Sequence, residues 1–381
     1  MKITKINPSN LEEFYENLGT ESAGAKILAS KSHIHTILIQ DLHTGAANIL
    51  KQDALSIGAD VAVPRGTIIN ATPTSDVVLI ASDKHLKILS KKELSQPFGL
   101  KKVAVELQNF ITKKRPKTKI MAIVNANDDS FFDGSRFLGD DAIGKIKEMI
   151  ENGADIIDIG AVSTRPNSMI VEDNEELMRI KPICDAISEQ KLYEKVIFSV
   201  DSFTPCVIEY ALQSGFTIIN DITGLANDEV CKLAQKYDAS VVIMHMQGTP
   251  QTMQINPVYE DVMAEVDEFF KERIEKAKSF GIEKIILDVG IGFGKTLQHN
   301  LLLLQNLAHF RRFGYEILLG ASRKSLIEMV IPNTPIQDRL SGTLAIHLDG
   351  IQKGASIIRC HDVKEHFGAI KMQEAIDSIF S

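Results

Sequence analysis

Beyond about residue 118, apolar residues fall in short unbroken runs, and each run ends in a polar residue. IMAIVN closes on Asn125, and ADIIDIG leads to Ser163, Thr164 and Arg165. VIFSV closes on Asp201, and TIIND presents Asn220. VVIMHM carries Met244 and His245, and IILDVG carries Asp288. EILLGASRK delivers Arg323 and Lys324, and ASIIRCHD delivers Arg359 and His361. An apolar run of four to eight residues suits a strand buried on both faces. Between the runs lie helical stretches. In one of them Val262, Val266, Phe269, Phe270 and Ile274 recur at three- and four-residue steps, so one helix face packs inward. Several of these stretches stop at a glycine just before the next run, at Gly153, Gly215, Gly281, Gly314 and Gly354. Eight strands alternating with helices predict an α/β fold of the (β/α)8 TIM-barrel type, with its active site at the C-terminal ends of the strands.

A barrel needs about 250 residues, which Lys119 to Ser381 supply. Residues 1–111 have a rhythm of their own. HTILIQDL, DVAVP and DVVLIAS read as strands, AANILKQDALSIG as a helix ending at Gly58, and KHLKILSKKEL as a second helix. The expected division is an N-terminal α/β extension over 1–111 and a catalytic barrel over 112–381. The basic run Thr112–Lys119 reads as a solvated linker rather than a phosphate contact.

Hydrophobic residues make up 44% of the 381, enough for a large core. A net charge of −8 argues against nucleic acid as a partner. No apolar stretch reaches about 18 residues, so no membrane span is expected. The N-terminus has no apolar signal-like segment, and Cys184, Cys206, Cys231 and Cys360 show no CxxC spacing. They read as reduced thiols, and a cytoplasmic location is expected.

Taken in order, IMAIVNANDDSFFDG, GADIIDIGAVSTRP, SVDS, INDITG, MHMQGTPQTMQ, LDVGIGFGKT, LLGASRKS and RCHDV resemble the dihydropteroate synthase family of folate biosynthesis. The resemblance runs over about residues 118–363 and leaves 1–111 unmatched. It implies a transferase that condenses a dihydropterin pyrophosphate with p-aminobenzoate, releasing pyrophosphate. A pterin edge sets an amino group beside a ring N–H, which a carboxylate accepts together and a carboxamide reads in part. The resemblance assigns this recognition to Asp201, Asn220, Asp288 and Lys324, with Met244 against the ring. It places Asn125, Arg359 and His361 around the pyrophosphate, with Mg²⁺ held by Asn125, waters and pyrophosphate oxygens. Ser163, Thr164, Arg165, Pro166, Phe293 and Ser325 would surround p-aminobenzoate, and the barrel would be a homodimer. Lys324, Asp201, Arg359 and His361 are the expected catalytic set.

Plainer roles compete at several positions. Asp201 precedes Ser-Phe-Thr-Pro and could cap the next helix. His361 could be a core histidine, and Ser325 a plain N-cap. Gly290–Lys295 could be a phosphate loop or a tight turn that requires glycine. The chain also departs from the family pattern. Asn127 and Asp128 replace a Thr-Pro pair, Val162 replaces a Glu, and Val289 follows Asp288 where a Pro is usual. Two other functions therefore stay open: a pterin-dependent methyltransferase and a non-catalytic pterin-binding protein.

Overall fold

The computed structural model describes residues 1–113, 116–126, 137–161 and 171–380. The chain forms two compact units. The first is Met1–Lys114 with Arg312–Gly314 and Met372–Ser381; the second is Arg115–Arg311 with Tyr315–Lys371.

In the first unit β1 (Ile34–His43), β2 (Asp60–Ala62) and β3 (Thr74–Ser82) form an antiparallel sheet in the order β1-β3-β2. Along β3 every second residue, Ser75, Val77, Leu79 and Ala81, is buried. That alternation is what a sheet covered on one face requires. The buried face packs with Leu50 of the helix Thr44–Ile57, Leu86 and Leu89 of the helix Asp83–Lys92, and Leu100 and Leu107 of the helix Leu100–Asn109. This last helix, and the helices Leu11–Asn17 and Ser22–Ser32, were not among the elements expected from the sequence. Leu100, Ala104 and Leu107 do carry helical spacing.

The second unit is a closed barrel of eight parallel strands. They are β4 (Lys119–Asn125), β5 (Ile156–Gly160), β6 (Ile197–Asp201), β7 (Ile218–Asp221), β8 (Ser240–Met244), β9 (Ile285–Asp288), β10 (Glu316–Leu319) and β11 (Ile357–Cys360). Here burial does not alternate: all five residues of β5 are buried. Met121, Ile156, Ile218, Val242, Ile286, Leu318 and Ile357 form one buried cluster. The barrel closes where β11 pairs with β4, so the first and last strands of the unit are neighbours.

Four of the barrel strands, β5, β7, β9 and β11, are launched from a helix by the same device. At Gly153, φ is +101°, a backbone region that costs little only for glycine. Its N–H donates to the Ile150 carbonyl and that of Ala154 to the Met149 carbonyl, 3.0 Å each. This pair of bonds satisfies the carbonyls at the helix end and turns the chain into β5. The same pair recurs at Gly215, Gly281 and Gly354.

Candidate active site

The strand ends place the chemistry. β6 and β7 set Asp201 beside Asn220 in register, and β8 and β9 set Met244 beside Asp288. Asn125 ends β4 opposite Gly160. Arg359 lies in β11, with His361 just past the strand.

Arg359 is the hub of the first cluster. Its Nε donates to Asp158 Oδ2 and its Nη2 to Asp201 Oδ2, both at 2.6 Å. Asn220 Nδ2 donates to the same Asp158 oxygen at 3.0 Å. Asp158 is fully buried, and its Oδ1 has no hydrogen-bond partner among the described residues. Burial pushes the Asp201 carboxyl up to about 7; Arg359 pulls against this, while Asp158, Glu176 and Asp221 add to it. Burial alone would lower the Arg359 guanidinium, but the carboxylates of Asp158 and Asp201 carry it upward. Asp201 therefore does not cap a helix: the cap residue of Pro205–Gln213 is Thr204. Nearby, Glu176 is buried and accepts from the Ser202 and Thr204 hydroxyls at 2.7 Å each.

The second cluster joins Asp288, Phe293 and Lys324. Asp288 Oδ1 accepts from the Gly290 N–H at 2.8 Å. Burial raises its carboxyl, with Lys324 the leading opposing influence. The Lys324 ammonium donates to the Ile291 carbonyl and stands 4.4 Å from the centroid of the Phe293 ring. A cation over a ring face is attracted to it. Burial lowers the Lys324 amine to about 8 despite Asp288.

Of the two roles open to Gly290–Lys295, the tight turn is the one found. A Cβ at Gly290 would lie 1.9 Å from the His245 carbonyl oxygen, and one at Gly294 2.5 Å from that of Gln247. Lys295 is spent inside the turn. Its Nζ lies within 3.2 Å of His245 Nδ1 and the carbonyls of His245, Gly290 and Phe293. Burial lowers this amine to about 7, and burial together with Lys295 pushes His245 down to about 3. The lysine of this loop is thus a buried pin, not a phosphate ligand.

His361 is no core histidine. Its Nδ1 lies 2.9 Å from Ser322 Oγ, which also accepts the His361 N–H at 3.2 Å. Ser325 is exposed and begins the short helix Ser325–Val330, whose cap residue is Lys324, so the N-cap role for Ser325 is replaced by a first-turn position. Met244 is buried. Ser163, Thr164, Arg165 and Pro166, with the substituted positions Asn127, Asp128 and Val162, lie outside the described residues.

The strand-end reading passed over two buried groups, Asp158 and Lys295. Each had a signal. Asp158 interrupts the apolar run IIDIG, and a charge there demands a partner. Lys295 closes a glycine-rich turn next to Asp288 and was weighed only as part of a phosphate loop.

A closed barrel with these buried groups at its strand ends matches known proteins. Residues 121–361 match the pterin binding enzymes, and the chain belongs to that family. It is 40% identical over 378 residues to a Helicobacter pylori protein called bifunctional dihydropteroate synthase/dihydropteroate reductase, covering 99% of each chain. It is 43% identical over 260 residues to the dihydropteroate synthase of Haemophilus influenzae, covering 68% of this chain and 93% of that one. The Xanthomonas albilineans dihydropteroate synthase solved with 4-aminobenzoic acid superimposes with a TM-score of 0.64 at 34% identity, over 69% of this chain and 94% of that one. The activity is that of the dihydropteroate synthases, a transferase step of folate biosynthesis.

Proposed function

We propose that the strand ends form one site with three regions. Asp201, Asn220, Asp288 and Lys324 hold the dihydropterin, with Met244 packed against it. Asn125, Arg359 and His361 receive the pyrophosphate. Phe293 and Ser325, with Ser163, Thr164, Arg165 and Pro166, receive p-aminobenzoate. The observation that carries this reading is the pairing of two clusters at the strand ends, Arg359 with Asp158, Asp201 and Asn220, and Lys324 with Asp288 and Phe293.

In the reaction the arylamine nitrogen attacks the pterin methylene carbon. A C–N bond forms, the C–O bond breaks, and pyrophosphate leaves with the electron pair. The amine gives up one proton. Charge develops on the departing oxygen, and fixed cations aimed there lower the barrier. Arg359 is held in place before substrate arrives, so it need not be reorganised from solvent. The electron-rich pterin ring carries the positive charge left on the methylene, and no protein nucleophile is required. Among the described residues no group of three or more His, Cys, Asp or Glu side chains could hold a metal. Mg²⁺ takes most of its ligands from water and phosphate oxygens. Asn125 would supply one hard oxygen for it, and the ion would offset charge on the pyrophosphate. We place the enzyme in the cytoplasm as a homodimer. Among the described residues no helix is long and apolar enough to cross a membrane.

A pyrophosphate-release assay tests the assignment. Release should require both the pterin pyrophosphate and p-aminobenzoate, with Mg²⁺ present. Pterin binding without turnover by folded protein would instead support a binding protein, and corrinoid-dependent methyl transfer would support a methyltransferase.

The bifunctional relative adds a second reading, because its match includes the residues on both sides of 121–361. We propose that residues 1–111 serve a second step, reduction of dihydropteroate by a hydride donor. The hydride goes to carbon of the remaining reducible C=N bond and a proton to nitrogen. Incubating the full chain with dihydropteroate and a panel of reduced nicotinamides and flavins should yield tetrahydropteroate. No product with any donor would remove this activity.

A further inference from the structure

Behind the turn that carries Lys324 lie two imidazoles that none of these roles uses. His347, on the helix Leu340–Gln352, and His366, on the helix Val363–Asp377, are each 1% exposed. His347 Nδ1 meets His366 Nε2 at 2.8 Å. His347 Nε2 lies 3.0 Å from the Ala321 backbone nitrogen, and His366 Nδ1 lies 2.6 Å from the Asp362 carbonyl oxygen.

The two ends dictate where the protons sit. A backbone N–H only donates, so His347 Nε2 accepts from Ala321 and the ring proton is on Nδ1. That proton is donated to His366 Nε2, which leaves the His366 proton on Nδ1, donated to the Asp362 carbonyl. Two neutral rings satisfy every partner, and a third proton would find no acceptor among the described residues. Burial also pushes both imidazoles below the usual histidine range.

Asp362 closes the circuit. Its carboxylate accepts from Arg323 Nε at 2.9 Å and also from Arg323 Nη2. Arg323 has φ of +55°, a left-handed conformation that costs a residue bearing a Cβ. Its N–H donates to Thr343 Oγ1 at 2.9 Å, and its carbonyl accepts from Arg339 Nη1 at 3.2 Å. Residues 321 and 323 are thus both anchored to Asp362, one through two imidazoles and the other directly. Lys324 and Ser325 follow at once in the chain.

We propose that His347 and His366 are positioning residues that hold the strained 321–323 turn and thereby set Lys324 and Ser325 for the two substrates. This rests on the assignment of Lys324 to the pterin and Ser325 to p-aminobenzoate. A turn displaced by a fraction of an ångström misplaces both groups while leaving the barrel folded.

Nitrogen-15 NMR of the imidazoles in the full-length protein tests the proton arrangement. Both rings should stay neutral, protonated on Nδ1, from about pH 8 down to about pH 5. A His347 ring protonated on Nε2, or a pair that titrates in that range, overturns the relay. Kinetics then test the role. Per folded molecule, His347→Leu should raise the KM for p-aminobenzoate and the Kd for the pterin pyrophosphate each about tenfold. His347→Gln, whose side-chain oxygen still accepts from Ala321 but which loses the ring nitrogen facing His366, should recover part of the loss. Wild-type constants in the Leu variant overturn the proposal. If that variant does not fold, His366→Gln decides: it removes the ring that spans to Asp362, and unchanged constants overturn the proposal equally. A Lys324→Ala control separates the failures. Impaired Lys324→Ala beside normal His347→Leu sinks the relay alone, whereas normal pterin affinity in Lys324→Ala sinks the assignment and the relay with it.

Discussion

Glu93 of the first unit and the strand-end charges of the barrel are buried in opposite ways. In the barrel, Arg359 answers Asp158 and Asp201, Asn220 shares Asp158, and Lys295 is ringed by acceptors. In the first unit Glu93 is fully buried, and neither of its carboxylate oxygens has a hydrogen-bond partner among the described residues. Unanswered buried charge is costly, and the usual escape is to take up a proton. The barrel instead gathers its charges at one end of the strands, where they answer one another. Glu93 has only the proton. One physical cost thus yields a binding site in one place and a pH-dependent stability in the other.

The comparison breaks first if the barrel charges prove to be structural. Asp288→Ala should weaken pterin affinity about a hundredfold or more, since a paired charged hydrogen bond is lost, while the unfolding transition survives. Calorimetric titration that finds unchanged affinity would strike Asp288 from the site. Asp158→Asn should have the next largest effect. It keeps the shape but removes the charge that Arg359 Nε grips, and kcat/KM should fall about tenfold. An unaltered kcat/KM would make Asp158 a mere filler of the core.

A pH profile gives a smaller, more diagnostic effect. The Asp201 carboxyl is pushed up to about 7, so its anion is present above that pH and lost below it. The Lys324 amine is lowered to about 8, so its cation is present below that pH and lost above it. Pterin affinity should therefore peak in a narrow window between about 7 and about 8 and fall several-fold on either side. Lys324→Arg should remove the alkaline limb and spare the acid one. A profile in which the alkaline limb persists in Lys324→Arg would assign that limb to another group.

How far the sequence could be read follows from the same contrast. Strands buried on both faces leave unbroken apolar runs, so the barrel and its strand ends were legible, and Asp201, Asn220 and Asp288 with them. The partners of those groups were not. Nothing in the order of residues says that Arg359 reaches across to Asp158, because that contact is made only when the barrel closes. The role of Lys295 stayed open for a related reason. GIGFGK looks the same whether the lysine faces a phosphate or folds back onto the carbonyls of its own turn. In the first unit, short apolar runs marked the three strands, but their antiparallel order depends on pairing, not pattern. The exposed helices Leu11–Asn17 and Ser22–Ser32 bury almost nothing, Ala25 alone, and so leave little apolar period to detect.

The smallest effect belongs to Glu93 and bears on the other half of the comparison. Burial raises its carboxyl from 4.5 to about 7, with Asp53 adding to the shift and Lys92 opposing it. The folded state therefore binds this proton more tightly than the unfolded chain does. Its contribution to stability is fully present below about 4.5 and is lost as the pH rises through about 7. Glu93→Gln keeps the neutral shape at every pH. The variant should melt within error of the wild type at about pH 4.5 and a few degrees higher at about pH 8. Thermal unfolding of both proteins across that range measures the difference directly, and groups shared by the two cancel. Parallel melting curves at all pH values would mean that Glu93 is answered in solution. Glu93 would then be buried as the barrel charges are, and the contrast between them would dissolve.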